Sequence, residues 1–119
     1  MIRLLICDDS EAARAALRTM LHEQGEIEIV GEAENGMEAV ELAAALSPHV
    51  VLMDVAMPVL DGVGATRQIR ELLPGARIVA FAGSSEREVV DAMLEAGAEG
   101  AVVQFADEAA MRDFARRHR

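Results

Sequence analysis

Three aspartates are the residues of this chain best suited to chemistry. Asp54 ends the apolar run Val50-Val51-Leu52-Met53, and Asp8 and Asp9 follow a second largely apolar run, Ile2 to Cys7. Four apolar residues ending on a carboxylate read as a strand buried on both faces that stops at a charge. A bare aspartate there is not core filler, because an unpaired buried charge is too costly. At the carboxyl edge of an open α/β sheet it stands where ligands sit. Three such acids in one crevice would repel one another and raise each other's pKa, and a divalent cation relieves that repulsion. Oxygen-only ligands with room for water describe Mg2+ better than zinc.

Other chemistries are excluded or disfavoured. All eleven basic residues are arginine, so there is no phosphate-loop lysine and no Schiff-base lysine. The single Cys7 cannot form an internal disulfide and reads as a small buried hydrophobe rather than a nucleophile. His22 and His49 are scattered, lack zinc-ligand spacing with Cys7, and are expected to be structural. A formal charge of −10 argues against direct nucleic-acid binding. No apolar run approaches the length of a membrane span, and Met1 to Leu5 enters a strand pattern at once, without a signal-peptide layout. A cytoplasmic location is expected.

The elements that must position the acids alternate strand and helix. Strands are expected at Ile2–Cys7, Ile27–Ala33, a third ending at Asp54, Arg77–Ala82 and Gly100–Val103. Between them fall a helix capped by Ser10 and ending before Gly25, and one opened by Asn35-Gly36 that runs to about Leu46. A third covers about Val63–Leu73 and a fourth about Glu86–Ala96, with Gly97 as a left-handed cap; a last helix is capped by Asp107. Five β/α units in one domain, residues 1–119, give an α/β three-layer sandwich. Glu26, Glu28 and Glu32 suit an edge position for the second strand, and hence the flavodoxin-like (βα)5 parallel order 2-1-3-4-5. Strands one and three are then neighbours, which brings Asp8, Asp9 and Asp54 together.

Read as an ordered set, these features resemble the receiver domain of bacterial two-component response regulators across nearly the whole chain. The motifs that carry the resemblance are Asp8-Asp9 after strand one, Asp54 after strand three, Met57-Pro58, Asp61-Gly62, and Glu95-Ala96-Gly97-Ala98 before strand five. The resemblance implies that Asp54 is the phosphoacceptor, taking a phosphoryl group from a histidine kinase, a phosphotransfer protein or a small phosphodonor. It implies that Asp9 binds Mg2+ directly, Asp8 mainly through water, and the Ala56 carbonyl as a further ligand, with Pro58 and Gly62 shaping the loop. No separate substrate is turned over. An effector domain or partner protein would read helix four, strand five and helix five, where Arg112 and Arg116 could meet acidic groups. Helix one is an alternative docking face for the kinase.

The sequence departs from the family pattern at the switch. Receivers normally carry a threonine or serine after strand four, an aromatic on strand five and a lysine at its end; Ala82, Ala101 and Gln104 stand there. Hydrogen bonds to charged groups contribute about 1.5–3 kcal/mol each, so two lost contacts remove roughly 3–6 kcal/mol. Driving a two-state switch from 1:99 to 99:1 takes about 5.5 kcal/mol. The acceptor and metal site are expected intact and the switch weakened. The alternative is a degenerate receiver, a protein-interaction module independent of phosphorylation. A magnesium phosphatase of similar topology would need a second aspartate where Ala56 stands.

Overall fold

β1 (Ile2–Cys7) has apolar residues at successive positions rather than at alternate ones, and only a strand covered on both faces can bury them all. The computed structural model of the chain describes residues 1–23, 25–54, 57, 60–81, 87–98 and 100–102. Within these, β1 is followed by α1 (Glu11–His22), β2 (Ile27–Ala33), α2 (Gly36–Leu46) and β3 (Val50–Asp54). Next come α3 (Gly62–Leu72), β4 (Arg77–Phe81), α4 (Arg87–Ala96) and β5 (Gly100–Val102). The strands form one parallel sheet in the order β2-β1-β3-β4-β5, as expected, with glutamate-bearing β2 at the edge. No helix among the described residues is long and apolar enough to cross a membrane.

Two cores flank the sheet, and the two-residue period of the strands sorts side chains between them. Leu5, Cys7, Val51, Met53, Ile78 and Ala80 face one side, where α2, α3 and α4 contribute Ala39, Ala43, Ala65, Ile69 and Met93. Leu4, Ile6, Val50, Leu52 and Val79 face the other, against Leu17 and Leu21 of α1. In β2 the alternation breaks: the ladder with β1 slips between Leu4 and Leu5, pairing Leu4 with Ile29 but Leu5 with Gly31. Ile29 consequently packs on the α1 side and Ala33 in the opposite core.

The helix ends follow from capping. Ser10 Oγ accepts from the Ala13 N–H at 3.2 Å, and Asn35 Oδ1 from the Glu38 N–H at 2.8 Å. Gly97 after α4, with φ +115°, and Gly25 after α1, with φ +73°, occupy the left-handed region.

One boundary corrects the sequence reading. α3 starts at Gly62, not Val63, because Asp61 is its N-cap: Oδ1 accepts from the Gly64 N–H at 2.8 Å. Gly62 is therefore a buried first helical residue. β4 runs through Phe81, paired with Asp54, and β5 through Val102; the expected last residues, Ala82 and Val103, lie outside the described residues. α4 is described from Arg87, and Glu86, its expected first residue, lies outside the described residues. Ala82, Gln104 and the expected last helix, with Arg112 and Arg116, lie outside the described residues.

Candidate functional site

The register of β1 and β3 fixes the site. Cys7 lies opposite Met53, so the next residues, Asp8 and Asp54, stand side by side at the end of the two strands. Neighbouring strands are about 4.8 Å apart. One carboxylate oxygen each from Asp8, Asp9 and Asp54 lies within 4.8 Å of the other two. The three acids singled out from sequence are thus brought together at the carboxyl edge of the sheet. Asp8 is buried, Asp54 half-buried and Asp9 exposed, which grades the site from a fixed base to an open mouth.

Asp8 is tied down from three directions. Its N–H donates to the Ala33 carbonyl at 3.0 Å, anchoring it to β2. Its carbonyl accepts from Arg14 Nη1 at 2.7 Å, and its Oδ1 from the Ser10 N–H at 2.9 Å, anchoring it to the start of α1. Only 4% of the residue is exposed. Burial pushes its carboxyl above the ordinary 3.8; the Ser10 N–H opposes that, the Asp9 charge adds to it and Arg14 lowers it. The mutual repulsion expected from sequence is therefore present at Asp8 but secondary to desolvation. A buried carboxylate next to two others is a donor set that favours a hard divalent cation.

Among the described residues, the arginines of α1 pair with Glu32 of β2. Arg14 also reaches Glu32 at 3.3 Å, and Arg18 pairs with Glu32 at 2.6 Å. Cys7 is buried in the core, where desolvation pushes its thiol strongly upward, so it stays protonated and inert. His49 sits at the opposite edge of the sheet, where its Nδ1 accepts from the Arg3 N–H at 3.0 Å. His22 is exposed in the last turn of α1. Among the described residues, neither histidine joins the acid cluster.

Beyond Asp54, Met57 is buried in the core, Leu60 packs against that core, and Asp61 caps α3. Ala56 and Pro58 lie outside the described residues. Ala101 pairs with Ala80 in the sheet, which agrees with its expected place on strand five.

A family model described as the response regulator receiver domain matches residues 4–116. The chain belongs to this family. Receiver domains are the phosphoacceptor modules of two-component signalling. This receiver is 41% identical over 102 residues to the chemotaxis protein CheY of Halobacterium salinarum, covering 86% of the chain and 83% of that protein. It is 43% identical over 98 residues to the transcriptional regulatory protein LiaR of Bacillus subtilis, covering 82% of the chain. The chain spans only 46% of LiaR's length. Among solved structures, the receiver domain of the sensor histidine kinase PA1611 of Pseudomonas aeruginosa superimposes with a TM-score of 0.87 at 25% identity. That match covers 98% of this chain and 96% of the other, and the PA1611 receiver has a magnesium ion coordinated in its active-site cleft.

Sequence reasoning missed two parts of the receiver's site. Arg14 fixes the Asp8 carbonyl, and its place four residues after the Ser10 cap was an available signal. Leu60 is wedged between helices α2 and α3, and nothing in the local pattern announces that long-range contact.

Proposed function

We propose that Asp54 of this receiver is the phosphoacceptor, and that Asp8, Asp9, Asp54 and the Ala56 carbonyl hold Mg2+ beside it. The observation that carries the reading is the convergence of three carboxylates, one on each side of the β1–β3 seam and one at its mouth, within 4.8 Å. A carboxylate oxygen of Asp54 attacks phosphorus while the P–N bond of a phosphohistidine breaks. The electron pair leaves with the imidazole nitrogen, and Asp54 becomes a mixed acyl phosphate. A bound divalent cation supplies charge neutralisation for the transferred group. Asp8, held by Ser10, Arg14 and Ala33, keeps the floor of the site rigid, while exposed Asp9 stands at its opening. The domain modifies only itself.

The partners implied are a sensor histidine kinase or phosphotransfer protein upstream, and an effector domain or partner protein downstream. α4 presents exposed Leu94 on the face assigned to output. The decisive experiment is incubation with a small phosphodonor and Mg2+, followed by intact-mass measurement. Wild type gains one phosphoryl group and Asp54→Asn gains none. Equal labelling of both proteins, or none of wild type, refutes the assignment and leaves the phosphorylation-independent interaction module.

A further inference from the structure

The peptide that joins Asp8 to Asp9 is held from outside the acid cluster. Arg14 Nη1 donates to the Asp8 carbonyl at 2.7 Å. A peptide unit is planar, so the Asp8 carbonyl, the Asp9 nitrogen and the Asp9 Cα move as one piece. Pinning the carbonyl therefore sets the direction in which Asp9 leaves the end of β1. Asp9 is the exposed member of the cluster, so packing does not fix it as burial fixes Asp8.

Arg14 is held in turn by a carboxylate on another element. Its Nε donates to Glu32 Oε1 at 3.3 Å, and Arg18 Nη1 donates to both oxygens of Glu32, at 2.7 and 2.6 Å. Glu32 stands on β2 opposite Ile6, a residue of the core on the α1 side. The Arg14 side chain is only 12% exposed. Its guanidinium is a rigid planar fork, and here it spans from the edge strand to the end of the central strand β1. Glu32 also offsets positive charge that Arg14 would otherwise bring toward a cation. Glu32, Arg14, Asp8 and Asp9 thus form an unbroken chain in which every link is a hydrogen bond or a peptide bond.

We propose that Arg14 is a positioning residue for the cation site, fixing the peptide that aims Asp9, and that Glu32 on the edge strand positions Arg14. The inference rests on the reading of Asp8, Asp9 and Asp54 as Mg2+ ligands. It makes the cation affinity of the cluster depend on a carboxylate that is not part of it.

The charge of Arg14 and its hold on the peptide act in opposite directions, so the sign of the effect separates them. Charge alone makes Arg14→Met bind Mg2+ more tightly than wild type; positioning makes it bind more weakly. The test compares Arg14→Met and Glu32→Gln with Arg70→Met, which removes an arginine that also holds backbone carbonyls, those of Pro74, Ala76 and Gly97, away from the acids. Two readouts are taken well below each melting temperature: Mg2+ affinity from the shift of backbone amide resonances, and the carbonyl-carbon resonance of Asp8 in metal-free protein. Arg14→Met is expected to weaken Mg2+ binding by about tenfold or more, as loss of an outer partner of a metal ligand does, and to move the Asp8 resonance. Glu32→Gln should act in the same direction on both readouts by a smaller factor, still above about twofold in affinity. Arg70→Met should be less stable than wild type yet match it on both. A folded Arg14→Met that binds Mg2+ as tightly as wild type, or more tightly, overturns the proposal, and so does an equal loss of affinity in Arg70→Met. Where Arg14→Met does not fold, Glu32→Gln decides by the same criterion, because it keeps the side-chain shape and loses only solvent-accessible ion pairs. Wild type that binds Mg2+ but takes no phosphate sinks the acceptor assignment alone. Wild type that binds no Mg2+ sinks the ligand reading, and the Asp8 resonance then decides whether Arg14 and Glu32 hold the peptide.

Discussion

Replacing Asp8 by asparagine separates the cost of its charge from its role in holding a cation. Asparagine keeps an Oδ1 for the Ser10 N–H, now 2.9 Å away, and removes the buried charge. Because burial raises the Asp8 pKa above 3.8 in the folded state, the fold binds that proton more tightly than the unfolded chain does. In the metal-free protein the charge therefore destabilises, and the penalty grows as pH rises from 3.8 through the raised value and stays complete above it. Metal-free Asp8→Asn is expected to be more stable than wild type at pH 7, with the gap closing on acidification. Mg2+ reverses the order. At a concentration 100 times its dissociation constant, it stabilises wild type by about 2.7 kcal/mol. Loss of an outer partner of a metal typically weakens binding by about 10–100-fold, and loss of a carboxylate from the cluster by at least the lower figure. The same Mg2+ concentration then stabilises the variant by about 1.4 kcal/mol or less. Urea unfolding of both proteins in chelator and in Mg2+, across pH, measures all of these quantities. Equal Mg2+ stabilisation of the two, or a metal-free variant less stable than wild type at pH 7, would refute the reasoning.

Other substitutions have direct readings. Arg70 donates to the Gly97 carbonyl through Nε and Nη2 and to the Pro74 and Ala76 carbonyls through Nη1. Arg70→Met should cost about 3–5 kcal/mol from the two part-buried acceptors, with faster amide exchange at Gly97 and Ala98; a loss under about 1 kcal/mol would mean that water replaces the guanidinium. Glu32→Gln removes both ion pairs of Arg14 and Arg18, yet should cost about 1 kcal/mol or less and less still in high salt, because the pairs are solvent-accessible. Asp61→Ala should lower stability by about 1 kcal/mol through the lost α3 cap, checked by denaturant midpoint. Ile69→Ala, at a fully buried position, should cost about 2–5 kcal/mol with an unchanged denaturant slope.

The strand order and the acid cluster were legible in the sequence because both rest on strong local signals. Unbroken apolar runs at Leu4–Cys7 and Val50–Met53 mark strands covered on two faces, and each is followed directly by aspartate. Glutamates on β2 mark the edge. Helix starts at Ser10 and Asn35 were equally plain, since a capping side chain acts within three residues. Asp61 has the same chemistry but was absorbed into the Asp61-Gly62 motif, so its capping role and the true start of α3 were missed. The contacts of Leu60 with Gly36 and of Arg70 with the Gly97 carbonyl join residues more than twenty positions apart. No periodicity encodes such contacts; they exist only once the helices have packed.

The slipped register in β2 has a consequence for sequence change. Paired with β1 without the slip, the same residues would set Glu32 opposite Cys7, in the apolar layer beneath α2, and turn it from Arg14 and Arg18. Excising a single residue near Val30 would instead remove the bulge and leave Glu32 opposite Ile6 and Ala33 opposite Cys7, each facing as it does now. This edge can spare the extra residue, but with that residue present it cannot spare the slip.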